Sequence, residues 1–88
     1  MKVLIDKSFE KDTQRISNKL LLNKIADCIE EIEKASSPSD IKNLKKLKGG
    51  NIYYRIRISD YRLGVIIKNN SVIFLRFLHR KDVYKYFP

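Results

Sequence analysis

The chain has 88 residues, and its 19 Lys and Arg against 10 Asp and Glu give a formal net charge of +9 at pH 7. Hydrophobic residues make up 43% of the sequence, which excludes a disordered tail and predicts one domain, residues 1–88, with one modest core. No apolar run approaches the length needed to cross a bilayer, and the first ten residues lack the apolar region of a signal peptide. We therefore expect a cytoplasmic protein that has no contact with membranes.

The single cysteine, Cys28, and the single histidine, His79, exclude two classes of small protein. One thiol cannot form an internal disulfide, and the two residues lie too far apart in the chain to form a zinc module without carboxylate partners. Because no histidine lies near Cys28 in the sequence, we expect this residue to be a core or boundary residue rather than a nucleophile. The composition predicts neither a metal nor a cofactor.

The excess of positive charge lies entirely in the C-terminal half. Residues 1–44 carry eight basic and eight acidic side chains, whereas residues 45–88 carry eleven basic and two acidic ones. Positive charge concentrated in this way attracts a polyanion and is typical of proteins that bind nucleic acid. On composition alone, a soluble basic domain like those of ribosomal proteins fits equally well.

The N-terminal half predicts a strand followed by two helices. Lys2–Lys7 favours a strand, and Ser8 is a candidate N-cap for a helix over Phe9–Ile16. Ser17–Asn18 is a second start signal, and it opens the helix Lys19–Ala35. The apolar residues of that helix recur at helical spacing and are Leu22, Ile25, Ala26, Ile29 and Ile32.

The segment between the second helix and residue 51 predicts a short turn. Ser36–Ser39 ends the helix, Asp40 can cap the turn, and Gly49–Asn51 ends it. Three apolar side chains face one way on this turn, namely Ile41, Leu44 and Leu47.

The C-terminal half predicts a three-stranded antiparallel meander. Tyr53–Ser59 alternates strictly between apolar and polar residues, as expected of a strand with one buried face. Tyr61–Lys68 follows after a two-residue link, and Asn69–Asn70 tolerates the positive φ of a tight turn before the last strand, Ser71–His79. Asp82–Phe87 forms either a final helical turn or an ordered tail.

A two-residue loop between the first two strands of the meander fixes their register. The pairs are then Ile58 with Tyr61, Arg57 with Arg62, and Ile56 with Leu63. Because directly paired residues share a face, Arg55, Arg57 and Arg62 lie together. Three guanidinium groups on one patch repel one another, and a fold rarely keeps such an arrangement for packing alone.

The register of the last strand depends on Arg76. An even loop at Asn69–Asn70 would direct Arg76 into the core, which is costly for an unpaired charge. An odd loop or a β-bulge instead turns Arg76 outward and places Arg80 on the basic face. The side chains that this arrangement turns inward are Ile73, Leu75 and Phe77.

The chain carries four short motifs that, in this order and at this spacing, resemble the RelE/ParE superfamily of bacterial and archaeal toxins. They are LKG at Leu47–Gly49, YRIRI at Tyr54–Ile58, DYRL at Asp60–Leu63 and HRKDVY at His79–Tyr84. The resemblance implies an α+β fold of the RelE-like, microbial-RNase-like type, β-α-α-β-β-β, with an antiparallel sheet against two N-terminal helices. The order of the predicted elements matches that family along nearly the whole chain.

The resemblance also implies a function and a partner. RelE-like members enter the ribosomal A site and cleave mRNA there by attack of a 2′-hydroxyl on the neighbouring phosphate. A cognate antitoxin binds and blocks the toxin in a hetero-oligomer. By position, the functional side chains of the family correspond to Arg55, Arg57, Arg62, Arg80 and Tyr84.

Each of these side chains has an implied role. Arg62 and Arg80 stabilise the phosphate, because a guanidinium offers two parallel donors and keeps its charge. Arg55 and Arg57 hold the RNA backbone and help to stabilise charge. Tyr84 stacks on or orients a base, or takes part in proton transfer.

The general base is less directly implied. Some relatives have lysines at positions 55 and 57, and an Arg with a pKa above about 12 is a poor base at neutral pH. His79 is the only side chain whose ordinary pKa lies near neutrality, so it could act as acid or base if it faces the arginines. The alternatives are a His79 bonded to backbone at the strand end, and cleavage that depends on positioning the mRNA rather than on one base.

Further basic side chains are predicted to contact the RNA backbone or to lie solvated beside it. They are Lys45, Lys46, Lys48, Arg76 and Lys81.

Two other functions are compatible with the same fold. One is a ParE-like protein that poisons DNA gyrase without hydrolysing RNA, and the other is an inactive, basic nucleic-acid-binding domain. The cluster of arginines with a C-terminal tyrosine favours the nuclease, because a gyrase binder has no evident need for arginines directed at a phosphate.

Overall fold

The sequence folds into a five-stranded sheet with two long helices against one of its faces and a short C-terminal helix on the other, and the computed structural model describes all residues, 1–88. The strands lie in the order β1-β5-β4-β3-β2. The α+β fold implied by the resemblance is confirmed, and of the two forms predicted for the C-terminal segment the structure has the short helix. The elements are β1 (Lys2–Ile5), α1 (Lys7–Gln14), α2 (Lys19–Lys34), a 3₁₀ turn (Pro38–Asp40), β2 (Leu44–Lys46), β3 (Tyr53–Ile58), β4 (Tyr61–Lys68), β5 (Ser71–His79) and α3 (Val83–Tyr86).

Side-chain caps begin both long helices. Asp6 accepts a hydrogen bond from the backbone N–H of Ser8 at 3.0 Å, so Asp6 is the N-cap of α1 rather than Ser8. The helix α1 therefore begins and ends earlier than the sequence analysis predicted. Asn18 accepts a hydrogen bond from the N–H of Leu21 at 3.1 Å and starts α2 where predicted. None of the helices has the length and apolar character needed to cross a membrane.

The edges of the sheet differ from the prediction. Leu44–Lys46 forms the strand β2, antiparallel to β3, where a turn was predicted, because it satisfies the outer backbone groups of β3. On the other edge, β1 pairs with β5 in parallel, with Lys2 opposite Ser71. The connection from β1 runs through both helices before the chain returns to the sheet, which allows this parallel pairing. The sheet is thus mixed rather than purely antiparallel.

The register between β3 and β4 is confirmed. Arg57 lies opposite Arg62, and Ile58 lies opposite Tyr61. The link between them is a tight turn in which Ser59 has a φ of 54°. One face of this hairpin is apolar and buried, and the other is basic.

The strand β5 contains the predicted bulge, but in the middle of the strand. The turn at Asn69–Asn70 has two residues with positive φ, so β5 starts in even register with Lys68 opposite Ser71. Leu75 is then the extra residue, since Phe74 lies opposite Val65 and the next paired residues are Arg76 and Gly64.

This bulge changes which side chains point inward. Arg76 is turned away from the core and Phe77 is buried, as predicted. The other inward side chains of β5 are Val72 and Phe74, both fully buried. The predicted inward placement of Ile73 and Leu75 is wrong, because the shift occurs after Phe74 and not at the turn.

The core lies between the helices and this apolar face of the sheet. On α2 the buried side chains are Leu21, Ile25 and Ile32. Of the predicted stripe, Leu22 and Ala26 are exposed, so the prediction is wrong at these two positions. The helix α1 contributes Phe9, which meets Phe74 edge to face at 5.3 Å. The helices α1 and α2 cover one face of the sheet and leave the opposite face to the C-terminal segment and to other contacts.

Candidate active site

The face of the sheet opposite α1 and α2 carries basic side chains from three neighbouring strands. Arg55 and Arg57 alternate with buried residues on β3, Arg62 of β4 lies opposite Arg57, and Lys45 of β2 lies opposite Arg55. Directly paired residues share a face, so the four side chains project from one surface. We call this surface, together with Arg80, the arginine face.

The arginines of this face are close enough to influence one another. Partial burial lowers the pKa of Arg62, and the positive charges of Arg55, Arg57 and Arg80 lower it further, while Tyr84 has the opposite effect. Arginine still keeps its charge at neutral pH. The structure therefore brings together the four arginines and the tyrosine that the sequence analysis assigned to catalysis.

No carboxylate neutralises the arginine face. The only ion pair in the protein joins Arg76 to Asp12 and involves none of these arginines. Arg62 Nη1 donates to the carbonyl oxygens of Ser59 at 3.1 Å and Tyr61 at 2.9 Å. These neutral acceptors leave most of the guanidinium charge of this face available to an anion.

The two arginines of β3 have weaker partners. Arg55 Nη1 donates a long hydrogen bond to the carbonyl oxygen of Asn43, at 3.5 Å. Arg57 Nη2 donates one of the same length to the side-chain Oδ1 of Asn43. The Nε of Arg55 is buried and has no hydrogen-bond partner. A buried donor without a partner is costly, and an anion on this face would supply acceptors.

The C-terminal segment folds across the arginine face and carries Tyr84 to it. Val83 is fully buried, and the ring of Phe87 packs on Gly64, where an added Cβ would lie 2.8 Å from that ring. Phe87 also meets Tyr53 edge to face at 5.8 Å. With α3 held by these contacts, the side chain of Tyr84 remains 64% exposed next to the arginines.

Three of the four predicted RNA-binding lysines lie around a cleft beside this segment. The cleft has a volume of about 460 Å³ and lies between the lysine-rich strand end and the C-terminal segment. Its walls are formed by Lys45, Lys46, Leu47, Lys48, Tyr84, Phe87 and Pro88. Lys46 lies opposite Tyr54, so it starts from the core side of the sheet edge, whereas Lys45 starts from the arginine face.

His79 does not lie on the arginine face. It pairs with Tyr61 on the side of the sheet that the helices cover, with the two rings 5.4 Å apart, and its Nδ1 accepts a hydrogen bond from the N–H of Lys81 at 3.2 Å. The condition under which His79 was expected to act as acid or base is therefore not met, because the bulge in β5 sets its face. Lys81 itself is exposed in the turn after β5.

Arg76 is engaged by a carboxylate. Its Nε and Nη2 donate to Asp12 at 2.8 and 3.2 Å, and this hydrogen bonding raises the pKa of Arg76. Arg76 lies opposite Gly64 and so starts from the same face of the sheet, but its charge is paired with Asp12, unlike that of the other arginines.

Sequence analysis did not single out Asp12, Gly64 or Phe87. The isolated Gly64 inside a strand pattern is a signal of close backbone approach and could have indicated that a segment packs there. Asp12 offered no such signal, because its partners lie more than sixty residues away in the sequence.

Comparison with known proteins identifies the class to which this fold and this basic face belong. Residues 3–84 match the family model described as the ParE toxin of the type II toxin-antitoxin system parDE. The chain is also 43% identical, over 89 aligned residues that cover all of both chains, to toxin RelE3 of Methanocaldococcus jannaschii. The chain therefore belongs to the RelE/ParE superfamily of toxins of type II toxin-antitoxin systems.

Solved structures agree with this assignment. The crystal structure of a RelB–RelE antitoxin–toxin complex from Methanococcus jannaschii matches with a TM-score of 0.79 and 40% identity, covering 97% of this chain and 99% of that one. The RelE–RelB complex of Pyrococcus horikoshii matches with a TM-score of 0.73 and 23% identity, over 90% and 93% of the two chains. The second likeness concerns the fold alone.

Proposed function

We propose that this toxin is a ribosome-dependent mRNA endonuclease that cleaves mRNA in the A site. The observation that carries the proposal is the arginine face, where four guanidinium groups without a carboxylate partner lie beside the exposed Tyr84. Such a surface suits a reaction in which negative charge develops on a phosphate.

The reaction requires three events at the scissile phosphate. The 2′-hydroxyl loses its proton and its oxygen attacks the phosphorus, the phosphate gains negative charge, and the bond to the 5′ oxygen breaks as that oxygen takes up a proton. Arg62 and Arg80 stabilise the charge, and Arg55 and Arg57 hold the RNA backbone. Tyr84 stacks on a base or transfers a proton.

In this proposal, much of the rate enhancement comes from positioning the 2′-hydroxyl of the RNA relative to the scissile phosphate. None of the four arginines is a good proton acceptor at neutral pH, and His79 lies on the opposite face of the sheet. Holding the 2′-hydroxyl in line with the phosphate lowers the barrier without a strong base. The lysines around the cleft of about 460 Å³ extend the contact along the RNA backbone.

A cognate antitoxin is the proposed partner, forming a hetero-oligomer with the toxin. The relatives from the two archaea were solved as complexes of RelE with RelB. A surface without neutralising carboxylates offers an acidic segment a favourable contact.

Primer extension tests the endonuclease proposal. A reporter mRNA is incubated with the toxin in a purified translation system, with and without ribosomes. We expect discrete cuts at A-site codons only when ribosomes are present. An intact message in both samples would contradict the proposal.

A ParE-like gyrase poison is the second candidate, because the matching family model is described as ParE. This function would use the arginine face as a docking surface and would leave RNA intact. A gyrase supercoiling assay separates the two: inhibition of supercoiling together with an intact message supports the second candidate. Activity in neither assay would indicate an inactive basic nucleic-acid-binding domain.

A further inference from the structure

Asp12, on α1, binds β5 next to its bulge. Its Oδ2 accepts hydrogen bonds from Arg76 Nε at 2.8 Å and from the backbone N–H of Phe77 at 2.9 Å, and its Oδ1 accepts one from Arg76 Nη2 at 3.2 Å. The side chain of Asp12 is 15% exposed. Hydrogen bonds to an ionised acceptor are stronger than neutral ones, so this contact ties α1 firmly to β5.

The strand β5 depends on this contact because its outer neighbour ends early. β1 pairs with β5 only as far as Ile5 opposite Phe74, and the chain then enters α1. Beyond that point the N–H of Phe77 has no strand partner on the outer side, and an unpaired backbone donor beside the core is costly. Asp12 supplies the acceptor that a longer β1 would have supplied.

The bulge determines which side chains of β5 point toward the core and which point toward the opposite face of the sheet. With Leu75 as the extra residue, Phe77 is buried opposite Leu63 and Leu78 lies opposite Arg62. Without it, a regular ladder from Phe74 onward would place Arg76 opposite Leu63, in the core. Asp12 stabilises the bulged register, because it pairs with Arg76 only when Arg76 is outside the core.

Two contacts after the bulge fix the position of Arg80 relative to the bulged register of β5. The ring of Phe77 stacks on the ring of Tyr61 at 4.9 Å, with 4° between their planes. The backbone N–H of Arg80 donates to the carbonyl oxygen of Asp60 at 2.7 Å. A shift of β5 by one residue would break both contacts and would move Arg80 away from Arg62.

We propose that Asp12 is a positioning residue for Arg80. By holding Arg76 and the N–H of Phe77 it fixes the bulge, and the bulge fixes where the Arg80 guanidinium meets the substrate phosphate. This inference rests on the endonuclease function proposed above. It makes Arg76 part of a structural pair and not a contact to RNA.

Single substitutions separate this role from a change in charge. Asp12→Ala removes every acceptor, whereas Asp12→Asn removes the charge but keeps one acceptor oxygen for the N–H of Phe77. Glu10→Ala is the matched control, because it removes the same charge from an exposed position on the same helix. Each variant is assayed for cleavage of ribosome-bound mRNA at a temperature well below its unfolding transition.

We expect Asp12→Ala to lower kcat by on the order of 10- to 100-fold, as a misplaced catalytic group does. Its KM should stay within about twofold of the native value, because Arg55 and Arg57, which hold the RNA backbone, lie on β3 and are not moved. Asp12→Asn should recover most of kcat, and Glu10→Ala should match the native toxin. A native kcat in Asp12→Ala, or a loss confined to KM, would overturn the proposal.

Two measurements do not depend on cleavage. In the native toxin the amide of Phe77 should be protected from hydrogen exchange, and exchange at the rate of an open loop would overturn the proposal even if Asp12→Ala does not fold. In NMR spectra, Asp12→Ala should shift the amide signals of residues 78–80, while Asp12→Asn and Glu10→Ala leave them in place. Unchanged signals in Asp12→Ala would overturn the proposal. If the native toxin cleaves no RNA, the proposed function fails while these two measurements still report on Asp12.

Discussion

At the scale of the residue, repulsion between the arginines of the arginine face lowers the stability of the fold and favours the binding of anions. Arg57 and Arg62 lie directly opposite each other, and Arg55 and Arg80 add to the positive potential around Arg62. Like charges on directly paired residues repel, and no carboxylate neutralises these arginines. An anion that binds this face relieves the repulsion, so the same feature that costs stability favours a phosphate.

Phosphate should therefore stabilise the native toxin. An anion that binds only the folded state at ten times its Kd contributes about 1.4 kcal/mol, which is a rise in Tm on the order of 5–10 °C for a domain of this size. Thermal unfolding in phosphate and in chloride at equal ionic strength measures the effect. The double variant Arg57→Ala/Arg62→Ala should lose most of the difference, whereas Arg15→Ala on the helical side should keep it. An equal Tm in both salts would contradict this view of the face.

Cys28 should be unreactive at neutral pH. Burial, with a smaller effect from Glu31, raises the pKa of its thiol to about 11 from 9.0. Because the unfolded thiol loses its proton first, this group contributes stability that is intact below about pH 9 and is lost as the pH rises toward 11. Iodoacetamide should alkylate the folded chain at pH 7.5 far more slowly than the urea-unfolded chain. Equal rates would show that the thiol is accessible and ionises normally.

At the scale of the element, the C-terminal helix α3 depends on a close approach of its flanking residue Phe87 to the sheet, in addition to the burial of Val83. Gly64 gives the ring of Phe87 room to lie on β4, and that contact keeps Tyr84 beside the arginines. The core on the other face of the sheet does not depend on it. Tyr84 can therefore be displaced while the rest of the fold is retained.

Gly64→Ala should displace α3 and lower cleavage. The added Cβ would lie 2.8 Å from the Phe87 ring, so the ring must move, and overpacking of this kind costs about 1–3 kcal/mol. In a Phe87→Ala background, Gly64→Ala should add little further loss of stability, because the ring that clashes is gone, while cleavage stays low because Tyr84 has lost the Phe87 anchor. Chemical denaturation and the ribosomal cleavage assay measure the two effects. Native cleavage in Gly64→Ala would show that Tyr84 does not need this anchor.

The sequence predicts elements and registers best where the signal is local. Alternation and a two-residue link were enough to pair Arg57 with Arg62, and the cost of burying Arg76 was enough to predict either an odd loop or a bulge. The position of that bulge was not predictable, because it depends on where β1 ends and on Asp12 from α1. The edge strand β2 was missed for a similar reason, since three residues acquire strand geometry only by pairing with β3.

The part of the candidate site that lies on one face of the β3–β4 hairpin, namely Arg55, Arg57 and Arg62, was predictable from the sequence. The resemblance supplied Arg80 and Tyr84, and the structure brings both to that face. The face of His79 could not be predicted, because it follows from a one-residue shift in β5 that a long-range contact stabilises.

At the scale of the whole molecule, the excess positive charge lies in the part of the chain that forms the meander and α3. Residues 1–44, which are neutral, form the two long helices and the edge strands β1 and part of β2. Residues 45–88, which carry the +9 excess, form the meander and α3. The toxin therefore presents its positive potential mainly on the side that carries the arginine face.

Association with the cognate antitoxin should consequently depend on salt. Electrostatic steering raises association rates several-fold or more, and added salt screens it over about 8 Å at physiological ionic strength. We expect the association rate constant to fall steeply between 50 and about 500 mM NaCl while the dissociation rate constant changes little. Stopped-flow fluorescence measures both constants. A salt-independent association rate would point to an interface dominated by apolar contacts.

The central claim is that the converging arginines act on a phosphate of ribosome-bound mRNA. Primer extension with Arg62→Ala beside Arg15→Ala, which removes the same side chain from the helical side, tests it most directly. We expect Arg62→Ala to lower kcat by about 10²- to 10³-fold, as loss of a donor to a developing negative charge does, while Arg15→Ala cleaves like the native toxin. Equal cleavage by both variants would contradict it.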